Sequence, residues 1–80
     1  MITWTKKEND RYTKWQATTE DTLSNFYIRE LHADKGTFTV FKLDDFGADF
    51  YATFDDISKA RFYVKHLVLA ELKEAQSISN

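Results

Sequence analysis

The side chains that most often perform catalysis or bind metals are sparse in this sequence. Cysteine is absent, and the two histidines, His32 and His66, have no acidic or histidine partner at metal-binding spacing. Serine, threonine and acidic residues are numerous, but no set of nucleophile, base and orienting group stands out among them. We therefore expect both histidines to be exposed surface residues. We also expect a protein that is not an enzyme and has no catalytic residues, metal or cofactor.

Acidic residues cluster around a possible turn between positions 44 and 49. Asp45-Phe46-Gly47 matches the metal-binding triplet of protein kinases, but the glycine-rich loop, strand lysine and H-R-D segment of those enzymes are missing. Asp44, Asp45 and Asp49 also lack the alternating spacing and distal glutamate of a calcium loop. The sequence therefore predicts a solvated acidic hairpin tip here.

Aromatic residues offer a different chemistry, because their rings can stack on nucleic-acid bases. Tyr27, Phe41 and Tyr51 fall with Arg29 on one mixed face of the predicted strands, which could bind a single strand. The alternative is that these rings pack beneath an N-terminal hairpin around Trp15, or across strands with one another. The net charge of −2 favours packing, since stacking platforms normally lie in positive grooves.

A second candidate surface lies on a predicted helix. Phe62 and Leu69 are seven residues apart and project away from the apolar stripe that contains Val64. Their predicted neighbours on this face are basic: Lys59, Lys65, His66 and Lys73. We expect a surface for a protein partner or for self-association. Contact with the 18–25 loop, or simple exposure, is the alternative.

Alternating residues and turn signals predict the strands that position these groups. The expected strands are Ile2–Lys7, Arg11–Ala17, Phe26–Leu31, Thr37–Leu43 and Ala48–Phe54. The spacing of Tyr12 and Trp15 indicates either a bulge or two rings on opposite faces. Period-two alternation assigns one face to the core, with these residues: Phe26, Ile28, Phe38, Val40, Phe50, Ala52 and Phe54. The other face is the mixed one.

The most strongly patterned element is a helix over about 55–75, followed by a frayed tail at 76–80. Thr53 or Asp55 could cap its N-terminus. Its apolar stripe should cover the sheet and comprises Ile57, Ala60, Val64, Leu67, Val68 and Ala75, with Leu72 at the edge. The predicted fold is therefore α+β: an antiparallel meander of four to five strands packed on one C-terminal helix, in a single domain over residues 1–80.

Composition bounds the function further. The chain has 80 residues, of which 42% are hydrophobic and 30% charged, and no apolar run approaches the ~20 residues of a membrane span. No apolar segment near Met1 resembles a signal peptide. We therefore expect a cytoplasmic protein without membrane contact.

The chain resembles a group of short phage and prophage accessory proteins. The matching features are Trp4, the strand around Tyr27 and Ile28, the aromatic strand at Phe38-Thr39-Val40, and the helix start from Phe54 to Arg61. This resemblance implies a mobile-element accessory protein in the host cytoplasm, and it supplies no catalytic residues. The expected function is a non-enzymatic interaction module that binds and modulates a host protein. The alternative is a small single-stranded nucleic-acid-binding domain.

Overall fold

Five antiparallel strands and one helix make up the computed structural model, which describes residues 2–19 and 25–78, with helix side chains as far as Glu71. The elements are β1 (Thr3–Glu8), β2 (Tyr12–Thr18), β3 (Asn25–Leu31), a 3-10 turn (His32–Asp34), β4 (Phe38–Asp44), β5 (Gly47–Phe54) and α1 (Ile57–Ile78). Each strand pairs with the next in the order β1-β2-β3-β4-β5. The predicted α+β meander with a C-terminal helix is confirmed.

The ends of the helix differ from the prediction. Asp56 is the N-terminal cap, because its carboxylate accepts a hydrogen bond from the Ser58 N–H at 2.7 Å. Asp55, one of the two predicted caps, instead accepts a hydrogen bond from Lys59 Nζ at 3.0 Å. The helix continues to Ile78, three residues of the predicted tail included, while positions 79–80 lie outside the described residues.

The core lies between α1 and the side of the sheet that the helix covers, chiefly β3, β4 and β5. Its buried apolar residues are Ala17, Phe26, Ile28, Val40, Ala60, Val64 and Val68. Ile57 and Leu67 pack against this cluster, so the predicted stripe is confirmed as far as Val68. The side chains of Leu72 and Ala75 lie outside the described residues.

A bulge in β5 changes which residues face the helix. Val40 pairs with Ala52, but the next residue, Phe41, pairs with Phe50, so Tyr51 is the additional residue. Its ring meets the ring of buried Phe26, with centroids 5.5 Å apart. The prediction that Phe50 lies on the core face and Tyr51 on the mixed face was therefore wrong, because strict alternation does not hold across a bulge.

The N-terminal strands are regular. β1 and β2 pair without interruption from Thr3 opposite Thr18 to Glu8 opposite Thr13. Trp15 packs against Phe38 on the helix side, with ring centroids 5.8 Å apart, whereas Tyr12 lies beside Arg29 on the other side. The rings of Tyr12 and Trp15 therefore lie on opposite faces of the sheet, which was one of the two arrangements that their spacing indicated.

Candidate interaction surfaces

Phe62 and Leu69 lie on the outer face of α1, as the helical spacing predicts. Their exposed fractions are 63% and 49%. The Phe62 ring packs edge-on against His66 at 4.5 Å between centroids, and both side chains remain exposed. The helix presents these side chains outward because Ala60 and Val64, on its opposite side, are fully buried in the core. Within the described part of α1, two large apolar side chains therefore face solvent.

A groove of about 540 Å³ separates this helix face from the N-terminal edge of the sheet. Its apolar walls are formed by Ile2, Trp4, Phe62, Val68 and Leu69. Arg61 and Lys65 line the same groove, and the Arg61 guanidinium lies 5.6 Å from the Trp4 ring centroid. We call this feature the β1 groove. Its volume falls within the range of small-ligand sites, and it is open to solvent.

A second hollow lies on the other side of Phe62, which therefore forms a ridge between the two. Phe54 and Tyr63 form its floor, with ring centroids 5.1 Å apart. Lys59 lies at its edge beside Asp55, and hydrogen bonding between the two raises the pKa of Lys59 and lowers that of Asp55. Lys59 is thus paired with a carboxylate, whereas Arg61 lies over the Trp4 ring.

The surface around Phe62 is basic as well as apolar. Between Ile57 and Ala70 the helix contains Lys59, Arg61 and Lys65 and no acidic residue. The structure brings the predicted residues Phe62, Leu69 and Lys65 together in the β1 groove, and places His66 and Lys59 at the second hollow. The side chain of Lys73, the remaining predicted member, lies outside the described residues. Sequence reasoning missed Ile2, Trp4 and Arg61.

The side of the sheet away from the helix holds most of the second predicted site. Tyr27 and Phe41 stack across β3 and β4 with centroids 5.3 Å apart and planes 19° from parallel. Arg29 lies over Phe41 at 4.6 Å, and Lys14 lies over Tyr27 at 4.8 Å. Tyr27 is buried by these neighbours. Tyr27 and Phe41 therefore pack with each other across strands. This agrees with the packing alternative given in the sequence analysis.

Charge is unevenly distributed on this open face. The strand register directs Lys7, Lys14 and Arg29 to it, and no acidic strand residue among those described faces the same way. Tyr51, which the alternation placed here, lies on the helix side, and Phe50 takes its place with 63% of its surface exposed. The open face is thus locally positive although the chain carries a net charge of −2.

A polar cluster joins β1, β2 and the 3-10 turn. The Thr13 hydroxyl donates to a Glu8 carboxylate oxygen at 3.0 Å, and His32 Nε2 lies 3.4 Å from that hydroxyl and 3.6 Å from Glu8. His32 is half-buried beside Glu8, so the expectation that it is an exposed surface residue was wrong. Thr13 is itself buried, and it lines a hollow of about 360 Å³ together with Glu8 and His32.

The tip between β4 and β5 presents an aromatic ring among carboxylates. Phe46 is 99% exposed, and its N–H donates to Asp44 Oδ1 at 2.8 Å, which fixes the turn. Gly47 has a φ of +120°, a conformation that favours glycine. Asp44 shares a hydrogen bond with Asp49 and repels its charge, which raises the pKa of Asp49. Within the described residues no group of three His, Cys, Asp or Glu side chains could hold a metal ion.

The fold and these surfaces define a small α+β meander protein with one basic, apolar helix face. No family model matches the chain, and no curated protein or solved structure matches it significantly. No helix in the part of the chain that the structure describes is long and apolar enough to cross a membrane.

Proposed function

We propose that this protein is a non-enzymatic protein-interaction module that binds through the β1 groove and the Phe62 ridge. The observation that supports this most directly is the exposure of Phe62 between two apolar hollows. Interfaces are enriched in aromatic residues and arginine at their centres, and Phe62, Trp4 and Arg61 supply both.

The chemistry of the groove restricts the partner. Its walls are apolar, and Arg61 and Lys65 give it positive charge. A matching segment presents a large apolar side chain flanked by carboxylates, since complementary charge favours encounter and correct orientation. The resemblance to short phage accessory proteins supports a host protein as the partner, bound and modulated in the host cytoplasm.

Matched substitutions on the two sides of the molecule test this proposal. Phe62 and Phe50 are equally exposed, at 63%, and Leu69 and Leu43 nearly so, at 49% and 46%. Affinity capture from a bacterial lysate should recover a specific protein with the wild type and with the control Phe50→Glu/Leu43→Lys. Phe62→Glu/Leu69→Lys should lose it. Equal capture by both double variants, each shown to be folded by circular dichroism, would contradict the proposal.

A second function, binding of single-stranded nucleic acid, is supported by the cations and the exposed Phe50 ring on the open face. Backbone phosphates favour such a positive surface, and one exposed ring can stack on a base. Fluorescence anisotropy with labelled oligonucleotides at low salt is the test. Phe50→Glu should abolish binding and Phe62→Glu should preserve it. Absence of binding by the wild type at about 50 mM salt, where electrostatic contacts are strong, would exclude this function.

A further inference from the structure

We propose that the β1 groove accepts the β4–β5 hairpin tip of a second copy of this chain, with Phe46 inserted between Phe62 and Leu69. This inference rests on the proposed function, in which the groove is a protein-binding site, and it names the occupant when no other partner is bound. The tip has the chemistry that the groove requires: one large apolar side chain among carboxylates.

The hairpin tip and the β1 groove are complementary in polarity and charge. Phe46 is 99% exposed, and Asp44, Asp45 and Asp49 surround it in the sequence. The groove offers apolar walls together with Arg61 and Lys65. Insertion would remove the Phe46 ring from water and bring opposite charges together at the rim. The mutual repulsion of Asp44 and Asp49, evident in the raised pKa of Asp49, adds to the advantage of a cationic neighbour.

The backbone of the hairpin tip is fixed by local contacts. The hydrogen bond from the Phe46 N–H to Asp44 and the positive φ of Gly47 hold the turn in a defined conformation. Strand pairing continues to the end of the hairpin, where Asp44 lies opposite Gly47. Binding such a pre-organised element costs less conformational entropy than binding a mobile loop.

A chain cannot fill its own β1 groove with its own hairpin tip. The groove borders β1, whereas the tip joins β4 to β5 at the opposite edge of the sheet. Four strand spacings of about 4.8 Å each separate these edges. The occupant must therefore come from a second molecule, and the contact joins two different surfaces. Such a contact either closes a reciprocal pair or continues as a chain of subunits.

Complementation between two variants tests the inference. Sedimentation velocity from micromolar to millimolar concentration should detect self-association of the wild type. Phe46→Ser, which lacks the inserted side chain, and Leu69→Lys, which has an altered groove, should each raise the dissociation constant at least about 30-fold, as expected for a central aromatic anchor. An equimolar mixture of the two variants should associate again, because one supplies an intact groove and the other an intact tip.

Three outcomes would overturn the inference. The first is a wild type that stays monomeric throughout, and the second is a mixture of the variants that does not associate. The third is unchanged self-association of Phe46→Ser with loss in Leu69→Lys, which would indicate helix-to-helix contact. In each case the lysate capture with the Phe62→Glu/Leu69→Lys variant still decides the proposed function separately. A further expected result is weaker association at high salt and with Arg61→Glu, but not with the charge-matched open-face control Lys14→Glu.

Discussion

Phe41 and Phe50 face each other across β4 and β5, with ring centroids 6.2 Å apart and planes at 77°. This pair exists because Tyr51 is an additional residue in β5, which shifts the register between Val40 and Phe41. The bulge thus exposes one phenylalanine on the open face and directs the tyrosine ring towards Phe26.

Because of the bulge, we expect substitutions at the adjacent residues Tyr51 and Phe50 to change the free energy of unfolding by different amounts. Tyr51→Ala should lower the free energy of unfolding by about 1–2 kcal/mol, because it removes the edge-on contact with buried Phe26. Phe50→Ala should lower it by less than about 1 kcal/mol, since that side chain is mostly exposed. Urea unfolding of both variants measures the difference. The opposite order would mean that β5 is regular and that Phe50 faces the core.

The ion pair between Lys42 and Glu71 should contribute a modest coupling energy between the sheet and the helix. Lys42 Nζ lies 2.8 Å from Glu71 Oε1, and about a quarter of each side chain is exposed. A double-mutant cycle with Lys42→Met and Glu71→Gln should give about 0.5–1 kcal/mol. The exposed pair Lys59 and Asp55 should give a smaller coupling and serves as the control.

The pH dependence of that coupling follows from the pKa of Lys42. The hydrogen bond to Glu71 raises this pKa in the folded state. The stabilisation is therefore fully present below the ordinary lysine pKa of about 10.4, and is lost as the pH rises through the higher folded value. Cycles measured at neutral pH and in strong alkali should differ accordingly. A coupling that persists after Lys42 has lost its proton would show that charge is not its source.

Asp56 should stabilise the N-terminus of α1 as its cap. Asp56→Ala should destabilise the protein by about 1 kcal/mol, because the Ser58 N–H loses its acceptor. Asp56→Asn should recover most of this loss, since an amide oxygen can accept the same hydrogen bond. Thermal or urea unfolding provides the measurement. Asp55→Ala should destabilise the protein less than Asp56→Ala. The reverse order would indicate that Asp55 is the N-terminal cap.

The acidic tip should be stabilised by removal of one charge. Because Asp44 raises the pKa of Asp49, the ionised pair disfavours the folded state at neutral pH. Asp49→Asn should therefore raise the melting temperature at pH 7. The advantage should vanish as the pH falls below about 4, where the wild-type carboxyl is protonated in both states. Asp45→Asn is the control, and an equal increase from it would assign the effect to net charge alone.

Local patterns were sufficient to predict the elements of this fold. Alternation and turn residues placed five strands, and the period of Ile57, Ala60 and Val64 placed the helix with its buried side. These signals are local because backbone geometry fixes the direction of each successive side chain. The same periodicity placed Phe62 and Leu69 outside the core, and their exposure confirms this.

Other features depend on which residues meet across the fold. No local signal distinguishes Tyr51 as a bulge, since its pairing depends on the register with β4. Trp4 lies near Arg61, and His32 lies near Glu8. Both contacts are between residues far apart in the chain, so local patterns do not predict them.

The sequence by itself determined the strands, the helix and its two apolar sides, because periodicity is a property of neighbouring residues. Only the tertiary structure decided that the outer side borders a groove with Trp4 and Arg61, and that Phe46 is exposed at the opposite edge of the sheet. Both depend on how the helix lies across the sheet, and this is set by packing between elements that are distant in the chain.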